Sequence, residues 1–200
     1  MKIPFPSFDP HAAPTQHIKL PDGLLIGGHE QVTPAQEYHW DGMRRSGDPD
    51  SPFWLFQYTL KGFGIFQNER TRKPVLPGQA FFTLIPSPAL YCRASECDCW
   101  EFFWILVRSP YLVDRFRKHT NLVNEVVSLQ PSSAIFRTAS DLYQSLGAVT
   151  ADNYQREELL FRWMLECERW ASRERHPPAP KVELLDFVRT FTLKNLEQPL

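Results

Sequence analysis

In the run WEFFWIL, Trp100, Phe102 and Trp104 stand at alternate positions, so on a strand they present three aromatic faces and two indole N–H donors to one side. Glu101, Phe103 and Ile105 fall on the other side. Such a set can wall a cavity for a small organic ligand, where apolar area gives affinity and isolated polar groups give orientation. The same rings would equally fill a core. The adjacent Arg44 and Arg45 supply a different chemistry, the two-pronged guanidinium fork that pairs with carboxylate or phosphate. On a strand, alternation would turn only one of them inward, and a solvated charge on an edge strand is the other reading of either. His39, Asp41, Gln57 and Tyr58 are further polar candidates whose facing the pattern leaves undecided.

The elements that position these residues are read from composition and periodicity. The chain has 200 residues, of which 42% are hydrophobic, enough for one full core. Its 15 Phe, 6 Trp and 6 Tyr suit strands around an apolar interior, and 18 Pro against 9 Gly imply stiff, extended connections. The net charge of −1 argues against a broad nucleic-acid or membrane footprint in these residues, and sequence-specific DNA binding by them is not expected. No run of 18 apolar residues occurs, and the proline-broken start MKIPFPSFDPHAAP does not read as a secretory signal. A cytoplasmic location follows. The cysteines Cys92, Cys97, Cys99 and Cys167 contain no CxxC pair and read as free thiols. Cys97 and Cys99, with Arg93 nearby, raise the alternative of a redox or metal sensor.

Four zones separate along the chain. Residues 1–22 form a Pro-rich arm without periodicity. Between Gly23 and Val107 come short runs punctuated by turns, from GLLIGG through EYHWDGMRR, FWLFQYTL, GFGIFQ, KPVLPG, AFFTLI and ALYCRA to WEFFWILV. Strands of this length and spacing make an antiparallel sandwich or barrel. After a mixed stretch from Tyr111 to Leu129, two helices are predicted. One is capped by Ser132 or Ser133 and ended by Gly147, and the other runs from about Asn153 to Arg173. In the second, Leu160, Trp163, Met164 and Cys167 make one apolar face, while Leu159, Phe161 and Trp170 lie off it and ask for another partner surface. The charged, proline-rich RERHPPAPK then reads as a linker over residues 175–181, before a helix whose stripe is Leu184, Phe187, Val188 and Phe191.

In order and spacing, WDGMRR, FQYTLKGFG, LPGQAFFTLIPS and WEFFWILV resemble the N-terminal sensor domain of AraC/XylS-type transcription regulators, and the resemblance spans roughly Gly23 to Leu200. It implies a mainly β fold with C-terminal helices: a cupin-like double-stranded β-helix, or jelly-roll, barrel over residues 23–130, followed by a helical pair over residues 131–174. Residues 182–200 look like the first helix of a truncated helix-turn-helix DNA-binding domain. It further implies a non-enzymatic protein that senses a small-molecule effector, a sugar or an aromatic or carboxylate compound. Arg44, Arg45, Trp100, Phe102, Trp104, Tyr58 and His39 are the implied ligand-binding candidates, with the Trp100 face turned into the barrel. A homodimer would form through Leu159, Leu160, Phe161 and Trp163, and promoter DNA would be reached only through the further domain. Gly62 and Gly64 are read as turn residues, Pro77 and Gly78 as the next corner, and Gln79 stands where the family commonly has an acid. The competing class is a cupin metalloenzyme, which needs two His one residue apart, a Glu and a later His. GFGIFQNERTRKP offers no histidine, Leu90 replaces a His common in the family, and His11, His17, His29, His39, His119 and His176 are scattered. No metal and no cofactor are expected.

Overall fold

A computed structural model describes residues 15–21, 23–45, 52–175 and 181–196. The sequence runs that alternate or stay continuously apolar form strands: β1 (Gln16–Leu20), β2 (Gly23–Val32), β3 (His39–Asp41), β4 (Phe53–Lys61), β5 (Gly64–Gln67), β6 (Arg72–Val75), β7 (Gln79–Ile85), β8 (Leu90–Arg93), β9 (Trp100–Arg108) and β10 (Glu125–Ser128). Four helices are α1 (Pro110–His119), α2 (Ala134–Gly147), α3 (Asn153–Arg175) and α4 (Lys181–Leu196).

The pairing follows one rule. β5 pairs with β6, β4 with β7, β3 with β8 and β2 with β9, all antiparallel, as in a long double ribbon rolled on itself. Cross-pairing of β4 with β9 and β5 with β8 closes the roll into two sheets, β1-β2-β9-β4-β7-β10 and β3-β8-β5-β6. This is the jelly roll, the double-stranded β-helix of cupin barrels. The protein is therefore mainly β, with its helices towards the C-terminal side. Gly62, at φ +66°, makes the β4–β5 turn and Gly78, at φ +84°, the corner before β7, where a Cβ would be strained. Gln79 serves that corner as an acid would: its Oε1 accepts from Leu76 N at 2.9 Å.

At its centre the six-stranded sheet is buried on both faces, so β4 and β9 are apolar almost throughout rather than alternating with polar residues. One face turns into the roll, with Phe53, Leu55, Trp100, Phe102, Trp104 and Leu106. The other carries Trp54, Phe56, Tyr58, Phe103 and Ile105 against α1, α2 and α3. There Trp54 stacks between Phe116 of α1, at 4.2 Å, and Trp163 of α3, at 4.5 Å. Offset aromatic pairs add to the area they bury.

Each helix begins on a local signal. Ser109 accepts from Leu112 N and Pro110 opens α1, while Ser133 accepts from Phe136 N at 3.2 Å to start α2. Before α3, Asp152 Oδ1 accepts from Gln155 N and Gln155 Oε1 from Asp152 N, a reciprocal box. α2 ends where its glycine was expected to end it. Gly147 is the last helical residue, and the buried Arg156 donates to the carbonyls of Ser145 and Ala148, placing a cation at the negative end of the helix.

Several sequence expectations change here. Residues 16–20 of the supposed arm are a strand on β2, and Lys19 O accepts from Asn153 Nδ2; residues 1–14 lie outside the described residues. The mixed stretch contains α1 and β10. Residues 176–180 of the expected linker lie outside the described residues, while Arg175 ends α3 and Lys181 opens α4. Leu160 and Trp163, expected at a dimer contact, are fully buried within the chain because the face they share is the one α3 lays on the sheet.

α1 and α3 are tied by Arg115, whose Nε and Nη2 donate to the two carboxylate oxygens of Glu168 at 2.5 and 2.9 Å. The Arg115 bonds hold the Glu168 carboxyl below its ordinary range. A depressed carboxyl stabilises the fold above its unfolded pKa and loses that contribution as pH falls through the folded value. Glu168→Gln should cost about 1 kcal/mol at neutral pH, after allowance for partial exposure, and the deficit should fade below about pH 4. Urea denaturation of both proteins across that range measures it.

Candidate functional site

The interior of the roll is aromatic with a few polar groups at fixed places. Trp100, Phe102 and Trp104 line it from β9, Phe66 from β5, Phe81 from β7 and Tyr91 from β8. Trp100 lies flat over Gly64, where an added Cβ would sit 2.2 Å from its ring. Gly64 is thus glycine for close approach and not for a turn, unlike Gly62. The Trp100 indole donates to Thr59 Oγ1 at 3.1 Å, and Thr59 donates onward to Val75 O. Trp104 donates to Glu30 Oε1 at 2.7 Å. Burial pushes the Glu30 carboxyl up, against the pull of this bond and of the Arg45 charge.

Arg44 and Arg45 do not alternate on a strand, because β3 stops at Asp41 and both lie in the turn that follows. Their N–H groups both bond Asp41 O at 3.0 Å. Arg44 turns out, its side chain 88% exposed and its Nε 3.4 Å from Asp41 Oδ2. Arg45 turns in. Its guanidinium lies 4.4 Å over the Trp40 ring and 5.6 Å over the Tyr91 ring, and Nη1 donates to the Tyr91 hydroxyl. Desolvation pushes the Tyr91 hydroxyl up to about 12 although Arg45 pulls it down.

Tyr58 does not join this group. On β4 the parity that sends Gln57 inward sends Tyr58 outward, where it packs on Phe136 at 4.6 Å and donates to Leu129 O. His39 is exposed and lines an open groove with residues 34–38, Cys92 and Arg93. Asp41 acts in its own turn, accepting from Met43 N at 2.9 Å.

The rings that complete the inner group, Tyr38 and Tyr91, with Trp40 at its exposed edge, were not singled out from sequence. Tyr38 and Trp40 have no periodic neighbours to mark them, and Tyr91 stood in a run read only as a strand. Tyr38 packs on Phe102 at 5.2 Å and on Trp100 at 5.6 Å, and its hydroxyl donates to Gln57 Oε1 at 3.2 Å. Burial first, and Glu30 next, hold that hydroxyl well above the ordinary tyrosine range. Gln57 is 1% exposed, and its Nε2 has no partner among the described residues. A buried amide donor left unmade is costly.

The thiols sit apart from this group. Cys97 Sγ accepts from Phe63 N and donates to Cys99 O, each at 3.2 Å, and Cys99 Sγ accepts from Gln31 Nε2. They hold the β4–β5 turn against the start of β9. Among the described residues no three His, Cys, Asp or Glu side chains form a group suited to a metal ion.

No protein-family model and no curated protein matches the chain. Among solved structures it is similar to the AraC-like transcriptional activator CuxR, at 14% identity over 78% of this chain and 55% of that one, with a TM-score of 0.49. It is also similar to a cupin 2 conserved barrel domain protein from Salinispora arenicola, at 15% identity over 52% of this chain and 81% of the other, TM-score 0.34. A third likeness is to the cupin domain of an XRE family transcriptional regulator from Enterobacter cloacae, at 13% identity over 43% and 82%, TM-score 0.32. The chain spans about half the length of the CuxR structure. The fold is assigned from strand order and not from these likenesses.

Because Trp100 has no room to retreat, Gly64→Ala should lose about 1–3 kcal/mol. Thermal unfolding measures the loss, and a red-shifted tryptophan emission should accompany it.

Proposed function

We propose that this chain is the effector-sensing and dimerisation part of an AraC/XylS-type transcription regulator, holding a small organic molecule in the barrel and controlling an attached DNA-binding domain. The observation that carries the reading is the Gln57 N–H, unmet among the described residues and buried among aromatic rings on the inner face of β4. Leaving a buried amide donor unmade costs more than a typical hydrogen bond gains. A ligand's acceptor would satisfy it, and Arg45 offers further donors nearer the mouth.

Transmission follows from the two faces of β4. Gln57 and Leu55 face the effector side, while Trp54 on the same strand stacks on Trp163 of α3. An effector that prefers one setting of β4 shifts the population of α3 positions, and so the arrangement of a dimer built on α3. The dimer surface is not the set first expected. With Leu160 and Trp163 committed inside, and Leu159 packed partly against the core, α3 has Tyr154, Phe161 and Leu165 left exposed, beside Tyr111 of α1, whose ring lies 6.2 Å from Phe161. A two-fold contact between copies would cover them. α4, whose described side chains from residue 186 to 193 are all exposed, is read as the first helix of the DNA-binding domain.

The effector reading is tested by titrating the chain with a broad set of small sugars, amides, acids and amines while following tryptophan emission and thermal unfolding. At least one class should bind saturably and raise the unfolding temperature, and silence across the set would overturn it. Independently, sedimentation should give a dimer at micromolar concentration. The double substitution Phe161→Glu, Leu165→Glu should give a folded monomer, because both residues lie outside the core.

A further inference from the structure

Tyr38 closes the inner site, yet it comes from no strand. It ends the segment of residues 33–38 that joins β2 to β3. That segment is lightly held: Thr33 and Gln36 bond each other, and Tyr38 O accepts from Arg93 N at 3.2 Å. An open groove of about 490 Å3, lined by residues 34–39 with Cys92 and Arg93, runs along it and leaves space for the segment to move. From there the phenol ring enters a slot made by Trp40, Tyr91, Trp100 and Phe102, with centroid separations of 5.2 to 6.4 Å. At the end of the slot its hydroxyl meets Gln57.

A flat ring in an aromatic slot, with one polar atom read by a buried amide, is how a ligand would be held. The fit is incomplete in one respect. The Gln57 carboxamide offers an acceptor and a donor side by side, and a phenol hydroxyl engages only the acceptor, leaving Nε2 unmet among the described residues. The group that satisfies both heads presents its own donor and acceptor side by side, as another amide does; glutamine reads base edges in this two-pronged way. The match does not depend on which way the Gln57 amide is turned.

We propose that Tyr38 is an internal stand-in for the effector: a small aromatic carboxamide displaces it from the slot and bonds both heads of Gln57. The inference rests on the effector-sensing reading above and adds the chemical class. Displacement frees the β2–β3 segment, so occupancy of the site and the position of residues 33–38 are linked.

Benzamide is the probe, with benzoate, benzyl alcohol and arabinose as comparators, each titrated against tryptophan emission of the full chain. Benzamide should bind saturably and more tightly than benzoate, which lacks the donor, or benzyl alcohol, which lacks the paired geometry. Tyr38→Phe keeps the ring and the fold but removes the competing hydroxyl bond, so benzamide should bind roughly fivefold more tightly. Gln57→Leu, checked for folding by circular dichroism, should weaken it by about tenfold or more, and Gln57→Glu, which keeps the shape but loses the donor, should weaken it as well. Unchanged benzamide affinity in Tyr38→Phe, or in both Gln57 variants, overturns the proposal. Binding of arabinose without benzamide overturns it too, while leaving the effector-sensing reading intact. Silence to all four compounds also overturns it, and only silence across the broader set defeats the wider reading.

Discussion

The molecule depends on one constraint: the centre of the six-stranded sheet has no solvent face. β4 and β9, at its centre, must satisfy a barrel interior on one side and a helical layer on the other, so a side chain on either parity has a packing partner to match. Strands buried on both faces carry continuous apolar runs, and register is strongly specified, because a slip of one residue would exchange the two interiors. The helical layer is fastened to this sheet by the stack of Phe116, Trp54 and Trp163. Removing the helices would expose one whole apolar face, which makes barrel and helices a single cooperative body.

Polar groups inside such a body are few and individually accountable. Thr59 takes the Trp100 indole, Glu30 takes that of Trp104, and Arg45 is shared between two ring faces and a phenol. Each converts a desolvation cost into a bond of fixed direction. The exceptions then stand out. The indole N–H groups of Trp54 and Trp163 lack partners among the described residues, on the helical side. There the stacking of the rings accompanies the loss. Arg108 Nε and Gln57 Nε2 also lack partners among the described residues, and of these two only the Arg108 guanidinium lies over a ring, 5.5 Å from that of Phe53.

Much of the architecture was visible in the linear pattern. The strands β2 to β9 lie in or overlap the runs that suggested them, since short apolar segments between Pro and Gly punctuation have few other solutions. The start of α2 follows from Ser133, one of the two serines the sequence offered, while α3 begins near the expected Asn153 on an Asp152–Gln155 box that the structure reveals. α1 was hidden although its signals, Ser109-Pro110 and the spacing of Leu112, Val113 and Phe116, were present; a ten-residue helix leaves too short a period to stand out. β1 and β10 were hidden for another reason. Both are edge strands, stabilised by the neighbour they pair with more than by their own composition.

The candidate site divides along the same line. Alternation alone decided that Trp100, Phe102 and Trp104 share a face, because strand geometry is local. Residue types alone supplied an arginine pair and an amide. What the chain could not state locally was which of Arg44 and Arg45 faces inward, since that depends on a turn closed by Asp41 and on Tyr91, 46 residues further on. Nor could it place Tyr58 outside and Gln57 inside without knowing which parity of β4 meets the helices. Tyr38, at the end of an irregular segment, entered the site only through contacts with Gln57, Trp100 and Phe102. Periodicity is written in neighbouring residues, whereas facing is written in partners distant along the chain, and those are brought together only by the rolled sheet.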